Sequence, residues 1–186
     1  YKDVVKELRD RYRGIYTQDE IISMIKSYEF EAEEDTSDEE KSIYKTKYII
    51  DALENGDTYA ATEMIEDIVA TKVANGMTEE EARKSVRSSL TSYWKPLYQQ
   101  AFENADSYEQ NDIRESLYEM GVYGTYEEID ETLHGWKQNY VLETYKPLYI
   151  QAYQNGDTAE MRRIESKVYS LGVYKNSYKT VRGWID

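Results

Sequence analysis

The stretch Tyr145–Glu160, YKPLYIQAYQNGDTAE, lies over an earlier stretch of the same chain, Trp94–Glu109, WKPLYQQAFENADSYE. With Pro147 placed on Pro96, nine residues of the earlier copy recur: Lys95, Pro96, Leu97, Tyr98, Gln100, Ala101, Asn104, Asp106 and Glu109. The match runs on, with Ile113–Tyr123, IRESLYEMGVY, over Ile164–Tyr174, IESKVYSLGVY. A more diverged copy, Tyr48–Thr58, YIIDALENGDT, aligns about the same turn. A partial copy opens the chain, where Arg11–Ile21, RYRGIYTQDEI, resembles Leu117–Ile129, LYEMGVYGTYEEI. Self-similarity at a fixed period is the signature of a repeat architecture, and here the period is close to fifty residues.

Each copy reads as two helices joined at a corner. Asn55-Gly56-Asp57, Asn104-Ala105-Asp106 and Asn155-Gly156-Asp157 each combine a stop with a start. Gly56 and Gly156 suit the left-handed residue that ends a helix. Asp57, Asp106 and Asp157 suit the next N-cap, where a carboxylate accepts from unpaired backbone N–H groups. One Asp per corner, a full unit apart, argues against a metal site.

A short amphipathic helix follows each corner. Its stripe is Met64, Ile65, Ile68, Val69 and Val73 in the first unit, Ile113, Leu117 and Tyr118 in the second, and Ile164, Val168 and Tyr169 in the third. Gly121-Val122 and Gly172-Val173 close the later two, and the Val-Tyr after each glycine can fold back as a plug. Capping boxes at Thr78/Glu81 and Thr125/Glu128 then start longer helices. From Ala82 the apolar rhythm runs through Val86, Leu90, Tyr93 and Leu97 to Ala101, so one helix kinked at Pro96 is expected, a clean break there being the alternative, with the same choice at Pro147. The last unit is shorter, with Trp184 closer to Gly172 than Trp136 is to Gly121, as in a terminal cap. Trp94, Trp136 and Trp184 are expected to pack between helices.

The expected fold is therefore all-α, made of tandem helical-hairpin repeats in an α-solenoid-like array or an elongated helical bundle. The expected division is 1–36, N-terminal helices plus an acidic linker, and 37–186, three repeats over about 43–93, 94–143 and 144–186. Glu29–Glu40, EFEAEEDTSDEE, carries no base and reads as a solvated linker or a frayed helix end, with a helix restarting near Asp38 under a Ser37/Glu40 cap. It lacks the alternating oxygen ligands and central glycine of a calcium loop.

Acids outnumber bases 37 to 23, a net charge of −14 among 186 residues. Such a surface repels nucleic-acid phosphates, so no direct nucleic-acid partner is expected. It suits a basic or nucleic-acid-binding protein partner, or simple solubility. There is no Cys, which removes thiolate chemistry and fits a reducing compartment. No apolar run approaches the ~20 residues of a membrane span. No signal peptide is visible, and the chain opens at Tyr1 rather than Met, as a trimmed piece of a longer protein does.

Catalysis needs a positioned nucleophile, base or metal, and the supply is thin. His134, the one histidine, falls where the last copy has Arg182, and reads as a helix-surface residue. The carboxylates lie among Lys and Arg as ordinary solvated faces. No phosphate loop, zinc motif or serine elbow is present. The expectation is no enzyme, no catalytic residue, no cofactor and no metal. The 20 Tyr against 2 Phe read as rings that bury while their hydroxyls stay wet, or as a contact face. The recurrent Tyr98, Tyr123, Tyr149 and Tyr174 are the candidate interaction residues.

The composite pattern KPLY-x-QA-[YF]-x-N-[GA]-D-[TS], then a helix ending G-V-Y, then one ending G-W, covers Tyr44–Asp186. It resembles tandem helical units near the C-termini of very large proteins of phages and integrative elements of Gram-positive bacteria. The resemblance implies an origin rather than an activity. The function expected is a protein–protein interaction or scaffold module of a phage or mobile-element protein, cytoplasmic in the bacterial host or associated with the virion, with the concave face of the array as its contact surface. The alternative is an acidic nucleic-acid mimic that blocks a CRISPR or restriction nuclease.

Overall fold

The structure, a computed structural model, describes residues 38–186. The helices expected within 1–36, the acidic linker and the Ser37 cap lie outside the described residues. The described chain is all-helical: α1 (Asp38–Glu54), α2 (Thr58–Ala74), α3 (Glu79–Glu103), α4 (Ser107–Met120), α5 (Tyr126–Thr144), α6 (Lys146–Gln154), α7 (Thr158–Leu171), α8 (Ser177–Arg182) and a final 3-10 turn, Gly183–Ile185. No strand occurs among the described residues.

The three corners are built alike, bond for bond. At the first, Gly56 N–H donates to Leu53 O (3.0 Å) and Asp57 N–H to Ala52 O (2.8 Å). At the second, Ala105 N–H donates to Phe102 O (3.1 Å) and Asp106 N–H to Ala101 O (2.9 Å). At the third, Gly156 N–H donates to Tyr153 O (3.1 Å) and Asp157 N–H to Ala152 O (2.9 Å). This crossed pair is the Schellman closure, which satisfies carbonyls left open by the ending helix. The same Asp then opens the next helix: its carboxylate accepts from Ala60, Glu109 and Glu160 N–H, respectively, at 3.0–3.1 Å. The residue before each Asp is left-handed, with φ +71° at Gly56, +53° at Ala105 and +67° at Gly156. Ala52, Ala101 and Ala152, whose carbonyls receive the crossing bond, are all buried.

The described chain forms two compact units, one ending at Leu90 and the other running from Thr91 to Asp186. In the first, α1 packs on α2, and Ile49, Ala60, Ala61, Ile65, Val69, Ala82, Val86 and Leu90 are buried. Val73, assigned to this stripe from sequence, is exposed in the last turn of α2. Arg83 binds both Glu66 carboxylate oxygens at 3.0 Å and also reaches Glu79, tying α3 to α2. The Thr78 capping box is present, with both of its bonds at 3.1 Å.

In the second unit, α4 packs on α5, α5 on α6, α6 on α7 and α7 on α8. The buried face of α3 passes through Trp94 and Tyr98 rather than the expected Tyr93 and Leu97; Leu97 is exposed. Steps of three and of four both follow a helix, and the larger surfaces of Trp94 and Tyr98 claim the interior. Likewise Tyr118 and Tyr169, expected in the stripes of α4 and α7, are exposed, while Ile113, Leu117, Ile164 and Val168 are buried.

The two prolines part company. Helix α3 runs unbroken through Pro96, although a proline cannot donate to the carbonyl four residues back. Before Pro147 the helix is interrupted at a single residue, Tyr145, between α5 and α6. Tyr145 keeps near-helical angles (φ −100°, ψ −32°), donates to Val141 O at 2.8 Å and accepts from Tyr149 N–H at 2.9 Å, so bonding crosses the gap.

The last hairpin encloses Phe102, Val141, Tyr145, Tyr149, Ile164, Val168, Val173 and Val181. Phe102 comes from the end of α3, so the hairpin is sealed by the helix before it. Its closing helix α8 is one short helix plus the 3-10 turn, where the preceding hairpin has the full length of α5.

Candidate interaction surface

Burial overturns the assignment of Tyr98, Tyr123 and Tyr149 as contact residues. They are 4%, 1% and 1% exposed. Tyr174 is half-buried, and its hydroxyl is shielded with no hydrogen-bond partner among the described residues. All four rings pack inside the second unit. Tyr98 meets the Trp136 ring edge to face at 6.0 Å, and Tyr149 meets Trp184 the same way at 5.9 Å. Tyr123 also reaches Trp136, and its hydroxyl hydrogen-bonds with the Thr91 hydroxyl at 3.1 Å. Trp136 is thus a packing residue, as expected; Trp94 is buried too, and Trp184 is half-buried.

Two carboxylates sit at the junctions of this core. Glu103, last residue of α3, accepts from the Tyr145 hydroxyl (3.0 and 3.1 Å) and pairs with the Lys167 ammonium on α7 at 3.2 Å. Burial alone raises the Glu103 pKa; hydrogen bonds from Tyr140, Tyr145 and Lys167, with the Lys167 charge, outweigh it and hold the carboxyl below its ordinary value. The Tyr145 phenol is pushed far up by its own burial and then by Glu103. Glu165 on α7 is buried and accepts from the Tyr149 hydroxyl at 2.8 Å, with Arg182 Nε at 3.5 Å. Burial first, and Glu165 second, raise the Tyr149 phenol to about 12. Neutral donors facing these carboxylates explain why tyrosine stands where phenylalanine would otherwise pack.

The tyrosines that do reach solvent are different ones: Tyr59, Tyr108, Tyr118, Tyr153, Tyr169 and Tyr178. Three of them, with the half-buried Tyr126, make two stacked pairs. Tyr118 on α4 stacks on Tyr126 of α5, with ring centroids 4.1 Å apart and planes 7° apart, and the Arg114 guanidinium lies 4.4 Å from the Tyr126 ring. Tyr169 on α7 stacks on Tyr178 of α8 at 5.4 Å and 22°, with Arg182 at 5.9 Å from Tyr178. Tyr118 and Tyr169 occupy equivalent places, each one residue past a fully buried Leu117 or Val168. That one-residue step turns a helix by about 100°, which carries these rings away from the core.

The ion pair beneath each stack is reversed. In the middle hairpin, Arg114 of α4 binds Asp130 of α5 through two bonds of 2.6 and 3.1 Å, and this partner raises the Arg114 pKa and lowers that of Asp130. In the last hairpin the first-helix residue at Arg114's place is Glu165, and the cation, Arg182, comes from α8. Net charge follows the same inversion. Residues 94–143 hold eleven acids and three bases, a balance of −8; residues 144–186 hold four acids and seven bases, a balance of +3.

The corner residues Gly56, Asp57, Asp106, Gly156 and Asp157 are occupied by the turn bonds described above, and Asn55, Asn104 and Asn155 each donate a backbone N–H to the carbonyl four residues back. His134 lies exposed on α5. Among the described residues no group of three or more His, Asp or Glu is placed to hold a metal ion, and no helix is long and apolar enough to cross a membrane. Comparison with protein-family models, with curated proteins and with solved structures finds no match to this chain.

Proposed function

We propose that the chain is a tandem helical-hairpin repeat that serves as a protein–protein interaction or scaffold module, without catalytic activity, in a phage or mobile-element protein. The observation that carries the repeat reading is the pair of Tyr–Trp contacts, Tyr98–Trp136 and Tyr149–Trp184, with nearly equal centroid distances. The three matching corners support it, since a shared local turn and a shared long-range contact together point to one structural unit written several times. The exposed Tyr–Tyr–Arg stacks support an interaction role: stacked aromatics beside a guanidinium are the side chains that dominate binding energy at protein interfaces. The origin rests on the resemblance of the KPLY…NGDT…GVY…GW pattern to units in large phage and integrative-element proteins.

A second reading has one observation in its favour. The balance of −8 in the middle hairpin resembles what a nucleic-acid mimic presents to a nuclease groove. The positive last hairpin works against it. Affinity purification of the tagged chain from cells carrying the parent element separates the two. A scaffold retains a defined protein through a high-salt wash. Capture of a nuclease alone, lost in salt and displaced by DNA, would overturn the scaffold reading.

A further inference from the structure

We infer that the last hairpin docks on the middle hairpin of a second copy of this chain, pairing the basic tyrosine stack of one molecule with the acidic stack of the other. The inference rests on the interaction reading above and adds to it a salt-sensitive self-association.

The basic patch is assembled by local geometry. Arg162, Ser166 and Tyr169 are spaced four and three apart along α7, so they share one stripe, and all three are exposed. Tyr169 stacks on Tyr178, and Lys175 and Lys179 flank Tyr178 in sequence; both lysines are exposed. Arg162, Lys175 and Lys179 have no ion-pair partner among the described residues. Two stacked rings thus sit among cations whose charge nothing described here neutralises.

The equivalent stretch of α4 is acidic or neutral where α7 is basic or neutral. Asn111 stands for Arg162, Asp112 for Arg163, Glu115 for Ser166 and Glu119 for Ser170, around Tyr118 in place of Tyr169. Asp112 and Glu119 are exposed. The rings match while one stretch is acidic and the other basic, the kind of complementarity that sets register and disfavours like-with-like pairing. Two copies of the same charge, −14 each, repel at long range, but at physiological salt charges beyond ~8 Å are screened and the facing patches decide. A polyanionic nucleic acid has the cations to meet but no counterpart for the acidic stack.

The test is sedimentation velocity over a range of concentrations and salt. The wild type is expected to form a concentration-dependent dimer or short chain at low salt that dissociates at high salt. The variant Arg162→Glu/Lys175→Glu/Lys179→Glu, all at exposed positions and checked for native helicity by circular dichroism, is expected to weaken self-association by at least about tenfold. Adding Asp112→Lys/Glu119→Lys to the same chain, which swaps both patches, is expected to restore it. A wild type that stays monomeric at low salt overturns the inference, as does self-association indifferent to the reversal or unrescued by the swap. Binding of a single-stranded oligonucleotide that the triple reversal abolishes, without self-association, replaces the second copy with nucleic acid and also overturns it. In a monomeric outcome, high-salt retention of a different protein leaves the scaffold reading standing, so the two proposals fail separately.

Discussion

Replacing Ala105 with glycine is expected to stabilise the protein. Ala105 is the one described non-glycine residue with positive φ, at +53°, and it stands where Gly56 and Gly156 stand in the other corners. The left-handed conformation costs an L-residue about 1–2 kcal/mol, from the approach of its Cβ to the following carbonyl. Glycine removes that cost and returns about 0.4–1 kcal/mol of it through the greater freedom of the unfolded chain. The net expected for Ala105→Gly is a gain of about 0.5–1 kcal/mol, or roughly 2–8 °C in melting temperature if the second unit melts on its own. Gly156→Ala is the mirror experiment. A Cβ built at Gly156 meets nothing within 4 Å, so its loss of about 0.5–1 kcal/mol would be a backbone cost free of any clash. Urea unfolding followed by circular dichroism measures both. A neutral or destabilising Ala105→Gly, with Gly156→Ala tolerated, would refute the claim that the left-handed residue governs these corners.

Asp106→Ala and Asp157→Ala should each cost about 1 kcal/mol in the same unfolding assay, and each Asp→Asn much less, because the amide oxygen still accepts from N–H of the third residue on. Tyr149→Phe should destabilise by about 1–3 kcal/mol because it strips the buried Glu165 carboxylate of its 2.8 Å donor; Tyr174→Phe, whose hydroxyl has no partner among the described residues, should be neutral or stabilising. The depressed Glu103 carboxyl contributes stability that is present above the ordinary carboxylate pKa and is lost as pH falls through its lower folded value; Glu103→Gln should remove that part of the acid dependence, read as unfolding midpoints from neutral to acid pH. The Tyr98 and Tyr149 phenols, raised to about 12 mainly by burial, contribute stability present below pH ~10 that is lost as pH rises from there toward 12, and tyrosinate absorbance should show them ionising only as the fold opens.

The corners were legible in the chain alone because everything that makes them is local. A glycine for positive φ, an aspartate for the next N-cap, and the crossed bonds to Ala52 and Ala152 all lie within about six residues, so four letters carry the instruction. The Thr78 and Thr125 capping boxes, the left-handed Gly121 and Gly172, and the buried Val122 and Val173 were readable for the same reason. Tertiary packing alone decided which tyrosines turn inward. Tyr98 and Leu97, or Tyr118 and Leu117, are neighbours on a helix surface, and either choice keeps a helical rhythm. The outcome depends on Trp136 and Trp184 arriving from distant helices to meet Tyr98 and Tyr149. The different fates of Pro96 and Pro147 were hidden likewise, since both prolines remove the same bond and only their surroundings differ. Local hydrogen bonds are set by neighbours in sequence; the inward side of a tyrosine-rich helix is set by whatever comes to cover it.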